Sequence, residues 1–138
     1  MATFNKIHVF VEDLAHKVHN LGSDTLQVAL TNAANPPVAA TDGQLTDLTQ
    51  IAYTNLSSQV ITTTSSAHTS GTYKLVLQDL VLTASGAVAA FQYVTLFNQD
   101  AANDELIGYY DYGSEVTLAS GETFTIDFDP TNGVLQLA

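Results

Sequence analysis

The chain has 138 residues with no cysteine, no tryptophan and no arginine, and its 14 carboxylates against Lys6, Lys17 and Lys74 give a formal net charge of −11. Without cysteine there are no disulfides, thiolate zinc sites or cysteine nucleophile. With only three cations to displace phosphate counterions, neither nucleic acid nor an anionic membrane is an expected partner, whereas a basic protein surface is. The length fits one domain, residues 1–138, able to bury about two thirds of its unfolded surface.

No apolar run approaches the ~20 residues needed to span a bilayer. The first residues, Met1-Ala-Thr-Phe-Asn-Lys-Ile-His-Val-Phe-Val-Glu-Asp13, carry polar and charged groups where a secretory signal needs an apolar region, so synthesis in the cytoplasm of the producing cell is expected.

In chain order, the spacing of Phe4, Ile7, Val11, Leu14, Val18 and Leu21 predicts one amphipathic helix over 3–21. Thr3 is its candidate N-cap and Gly22 its stop. Residues 25–30 follow as a strand with Leu26, Val28 and Leu30 on one face. Residues 31–56 form a long excursion, because Pro36 and Pro37 lack the donors of a central strand. Long, weakly patterned excursions of this kind are commonly functional or interface-forming.

Further strands are predicted at 57–64, 72–83 with a break near Asp79, 90–97, 105–112, 114–118, 122–128 and 133–137. Gly71, Gly86, Gly113, Gly121 and Gly133 mark turns between them. Phe91 to Phe97 is apolar on both faces and reads as a strand covered on both sides. Short strands at this spacing predict a mainly β fold, an antiparallel β-sandwich or jelly-roll-like domain over 25–137 preceded by the helix.

The chemistry-bearing residues are sparse. His16 and His19, with Glu12 and His8, could turn ligands to one cation, but a fourth ligand and the H-E-x-x-H pattern are missing, which favours a solvated helix face. The segment Asn98-Gln-Asp-Ala-Ala-Asn-Asp-Glu105 offers oxygens suited to calcium; its spacing is not that of an EF-hand, and hairpin tips are rich in Asn and Asp for conformational reasons. Asp127 and Asp129 share a strand face, as paired glycosidase acids can, and also as solvated edge residues do. His68 lies among small residues with no nucleophile elbow. No catalytic, cofactor or metal residue is therefore assigned, and the chain is not read as an enzyme. The densest aromatic cluster is Tyr109, Tyr110 and Tyr112 around Asp111, with alternation placing Tyr109 opposite the other two.

The segments His19-Asn-Leu-Gly-Ser-Asp-Thr-Leu26, Gly71-Thr-Tyr-Lys-Leu75, Leu106-Ile-Gly-Tyr-Tyr-Asp-Tyr-Gly-Ser114 and Gly121-Glu-Thr-Phe-Thr-Ile-Asp-Phe128 together resemble small structural proteins of tailed-bacteriophage virions, of the capsid decoration or cement type. The resemblance covers nearly the whole chain and rests on turns and strands. It implies a homo-oligomer, with a trimer favoured, seated on the outer capsid surface of the virion and locking neighbouring major capsid protein subunits. The alternative of this type is a tail-fibre or adhesin module that binds a host receptor. Candidate interface residues are Phe4 and Phe10 of the helix, Pro36 and Pro37 of the excursion, the loop acids Asp42, Asp47, Asp100 and Asp104, and Tyr109.

Overall fold

The computed structural model describes residues 2–138. Where one N-terminal helix is expected, the chain forms a strand β1 (Phe4–Lys6), a short helix α1 (Phe10–Ala15) and then turns. β1 pairs antiparallel with residues 108–110, and Ile7 continues it by donating its N–H to the Ile107 carbonyl at 3.0 Å. The Phe4 ring packs against Tyr110 at 5.3 Å between centroids. Gly108 permits this, since a Cβ there would lie 2.3 Å from the end of that ring. Apolar residues at helical spacing thus serve a strand because sheet pairing outweighs a weak local preference.

The helix is six residues long and ends far short of Gly22. His16 is its C-cap, and the next residue, Lys17, takes the left-handed conformation with φ 65°. The Val18 N–H then reaches the Asp13 carbonyl at 2.9 Å and the Lys17 N–H the Leu14 carbonyl at 3.3 Å. This is the Schellman closure usually made by glycine. Thr3 caps nothing, as the N-cap position is Val9.

The remaining strands are β2 (Leu26–Thr31), β3 (Val60–Ile61), β4 (Thr63–Thr69), β5 (Thr72–Leu77), β6 (Leu80–Thr83), β7 (Val88–Asn98), β8 (Leu106–Leu118), β9 (Thr123–Ile126) and β10 (Leu135–Leu137). They form a five-stranded sheet in the order β1-β8-β7-β2-β3, a three-stranded sheet β10-β5-β4 and a ribbon β6-β9, with every pairing antiparallel. The expected break near Asp79 separates β5 from β6, and the Asp79 carboxylate accepts the Phe128 N–H at 2.9 Å. Gly113, by contrast, does not end a strand. β8 runs through it, and Tyr112 to Glu115 bulge opposite Gln92 as the register passes from Tyr93↔Asp111 to Phe91↔Val116. Gly113 supplies the positive φ of 79° that this bulge requires.

Residues 94–98 are buried without alternation, as a strand covered on both faces must be. One apolar cluster draws on all three sheets, with Leu26, Leu75, Leu82, Phe91, Leu106 and Ile126 each at most 1% exposed. The 31–56 excursion is tied down rather than loose. Leu106 donates to the Gly43 carbonyl at 2.9 Å, Ile51 to that of Leu30 at 2.9 Å, and the Leu30 N–H to the Tyr53 hydroxyl at 2.9 Å.

Candidate functional site

Two surface features stand out. The first is an open groove of about 560 Å³ lined by Ala2, Tyr110, Asp111, Tyr112, Gly113, Thr125 and Asp127. Its position follows from strand lengths. Among the described residues the β1–β8 ladder ends at Phe4↔Tyr110, so the bulged stretch of β8 beyond Tyr110 has no ladder partner on that side, and Thr125 of β9 joins the lining. Behind the groove stands an aromatic wall: Tyr112 contacts Phe124 edge-on at 5.0 Å, and Tyr110 contacts Phe128 at 6.1 Å.

Asp111 holds the bulge, its Oδ1 accepting the Gly113 N–H at 2.8 Å and the Gln92 side-chain amide at 2.9 Å. The Gln92 amide first and the Gly113 N–H second keep its carboxyl below the usual aspartate range. Burial, and then the nearby Asp127 charge, push the Tyr112 hydroxyl up to about 12; burial likewise raises Tyr110.

The second feature is an apolar channel between α1 and β10. It consists of two adjoining hollows of about 260 and 230 Å³ that share Leu14 and Leu137. Val11 is 50% exposed and Leu137 47% exposed along it, and Lys6 sits on its rim. β10 is an edge strand of three residues whose Leu135 and Leu137 line the channel.

The predicted interface residues are placed unevenly. Phe10 is not on the surface: it is 2% exposed and packs on the His19 ring at 5.1 Å, so its selection for contact with another chain is corrected. Pro37 is buried too, while Pro36 is exposed. Phe4 is half-buried on Tyr110, and Tyr109 is half-buried with its ring 6.4 Å from Tyr93. Three of the four loop acids are engaged by backbone. Asp42 accepts the Val38 N–H at 2.8 Å, Asp100 the Thr25 N–H at 2.6 Å, and Asp47 those of Gly43 and Gln44 at 2.8 and 2.9 Å. The Gly43 and then the Gln44 N–H hold Asp47 below the usual aspartate range. Asp104 lies in a turn with φ 51°.

The metal candidates separate. Glu12 and His16 face each other in solvent at 3.8 Å, whereas His19 turns inward and is 5% exposed. In the 98–105 hairpin the Glu105 carboxylate accepts the backbone and side-chain N–H groups of Asn103, both at 3.1 Å. Among the described residues no group of three or more His, Asp and Glu could hold a metal ion. Asp127 and Asp129 also diverge. Asp127 faces the groove, while Asp129 accepts the Thr131 and Asn132 N–H groups, both at 2.8 Å, in the turn before β10. His68 is exposed near the end of β4, opposite Tyr73, rather than in a turn, its Nδ1 accepting the Gly71 N–H at 3.3 Å.

The α1–β10 channel escapes a reading of the sequence, because a continuous helix over 3–21 hides the exposure of Val11. Its one local signal is the Leu135-Gln-Leu137 alternation, too short to separate an edge strand from a tail. No helix among the described residues is long and apolar enough to cross a membrane. Comparisons with protein-family models, with curated proteins and with solved structures each find no match.

Proposed function

We propose that this chain is an accessory structural protein of a tailed-bacteriophage virion that binds the outside of the capsid shell and stabilises contacts between major capsid protein subunits. It acts by binding rather than by chemistry. The observation that carries the proposal is the α1–β10 channel, an apolar surface left open beside an edge strand on a chain whose charged side chains are mostly carboxylates. Exposed apolar channels of this kind suit a protein partner. The resemblance of its turn and strand pattern to decoration proteins points the same way. The proposal includes a two-sheet sandwich arrangement around the shared core and a homo-oligomer of the chain on the shell.

A protein that binds only the assembled shell stabilises it by mass action, by about 3 kcal/mol per site at a concentration a hundredfold above Kd. The test is survival of particles lacking the protein under heat and osmotic shock. They are expected to rupture or lose DNA at lower temperature than complete particles and to recover when purified protein is added; equal survival would refute the proposal.

A further inference from the structure

The Tyr110–Tyr112 groove carries an inference beyond docking through the apolar channel. Among the described residues the hydroxyls of Tyr53, Tyr73 and Tyr93 are hydrogen-bonded within the chain. Those of Tyr109, Tyr110 and Tyr112 are not, although Tyr110 is only 5% exposed; of these three, Tyr110 and Tyr112 line the groove. The fully enclosed side-chain atoms without a partner among the described residues are His19 Nε2, Thr31 Oγ1 and Thr95 Oγ1. The Tyr110 hydroxyl is therefore not sealed in the core, and the space it reaches is the groove it lines.

A hydroxyl open to the groove can exchange its water for a partner supplied by a ligand, a small net gain that orients the ligand more than it holds it. The groove also carries Asp111 and Asp127, and none of the three lysines lines it. Asp111 has one oxygen taken up by the bulge, while Asp127 makes no hydrogen bond among the described residues.

We infer that this groove is a receptor for an arginine side chain presented by a partner protein. A guanidinium matches it on three counts. Its positive charge answers two carboxylates on a groove that none of Lys6, Lys17 and Lys74 lines. Its fork of N–H donors suits the acceptors at hand, the Asp127 carboxylate and the Tyr110 and Tyr112 hydroxyls. Its weakly hydrated plane tolerates an aromatic wall better than an ammonium does. A neutral sugar could use the hydroxyls and the ring surface but would leave the charge unanswered. The inference relies on capsid docking only for which protein supplies the arginine, so the two can fail separately.

The test is an NMR titration of the full-length protein at physiological salt with N-acetyl-arginine amide. Parallel titrations use the neutral isostere N-acetyl-citrulline amide and methyl α-glucoside. The expected result is saturable shifts confined to the amides of 110–113, 125 and 127 with the arginine probe alone. Asp127→Asn should weaken binding roughly fivefold or more, and Tyr110→Phe, which keeps the ring, should weaken it measurably. Asp127 is exposed, so its variant retains the fold and the outcome is interpretable. Absence of shifts, an equal response to citrulline, or a saturable response to the glucoside at the same residues would overturn the inference.

Discussion

The side-chain amide of Asn98 donates to the Asp24 carboxylate at 2.7 Å, joining the end of β7 to the turn before β2. The same nitrogen lies 3.1 Å from His19 Nδ1. With Asn98 donating, Nδ1 accepts, and the proton of neutral His19 resides on the enclosed Nε2. Burial lowers the His19 pKa, against the opposing pull of Asp13, Glu105 and Asp24, so the folded state holds the ring neutral.

A pH dependence follows. As the pH falls through the unfolded-state value near 6.5, the unfolded chain binds a proton that the folded chain does not, and stability decreases until His19 protonates in the fold. Asp13, raised chiefly by burial, has the opposite sign and acts further to the acid side, from its folded-state pKa down to 3.8. Urea midpoints should therefore fall between about pH 7.5 and about pH 5.5 in the native chain and much less in His19→Gln. Midpoints equal in slope for both proteins would show that His19 is not the group responsible.

Phe10 and Val11 are neighbours with opposite exposures, 2% and 50%. Phe10→Ala should cost about 3–5 kcal/mol and leave little folded protein. Val11→Asp should stay within about 0.5 kcal/mol of the native chain yet lose binding to capsids that lack the protein. Chemical denaturation and co-sedimentation separate the two effects, and undiminished capsid binding by Val11→Asp would remove the channel from the docking surface.

Lys17 closes the helix with a backbone conformation that glycine adopts without penalty. Lys17→Gly should raise stability by roughly 0.5–1 kcal/mol after allowance for the greater freedom of glycine in the unfolded chain. A loss of stability in equilibrium unfolding would mean that the lysine side chain itself holds the turn.

Gly133 and Gly113 both have positive φ, at 76° and 79°, but differ in surroundings. A Cβ at 133 would lie 2.5 Å from the Leu75 carbonyl oxygen, at the point where the Val134 N–H anchors β10; a Cβ at 113 meets nothing within 4 Å. Gly133→Ala should cost about 2 kcal/mol or more and free β10, whereas Gly113→Ala should cost about 1 kcal/mol. Amide exchange at 135–137 reports the difference, and continued protection in Gly133→Ala would contradict it.

The β segments were legible because alternation and glycine turns are local signals. The Leu26/Val28/Leu30 face and the break at Asp79 follow from side-chain sequence alone, and the two-sided cover expected over 91–97 holds from Val94 on, Gln92 and Tyr93 being half-buried. The N-terminus was not legible, since Phe4, Ile7 and Leu14 fit a helical stripe, and only the partner strand at 108–110 and the space at Gly108 make residues 4–6 a strand. Gly113 misled for a related reason: a positive φ serves a bulge as well as a turn, and the choice depends on β7 across the sheet. Of the groove, the Tyr110/Tyr112 face was readable from alternation, but its pairing with Thr125 and Asp127 is long-range.

The most direct measurement of the proposed role is the copy number and location of this chain in purified phage particles, by quantitative mass spectrometry together with electron cryomicroscopy of the head. Copies present in fixed ratio to the major capsid protein and distributed over the outer shell are the predicted result; a few copies confined to the tail, as for an adhesin, or none in the particle, would contradict it.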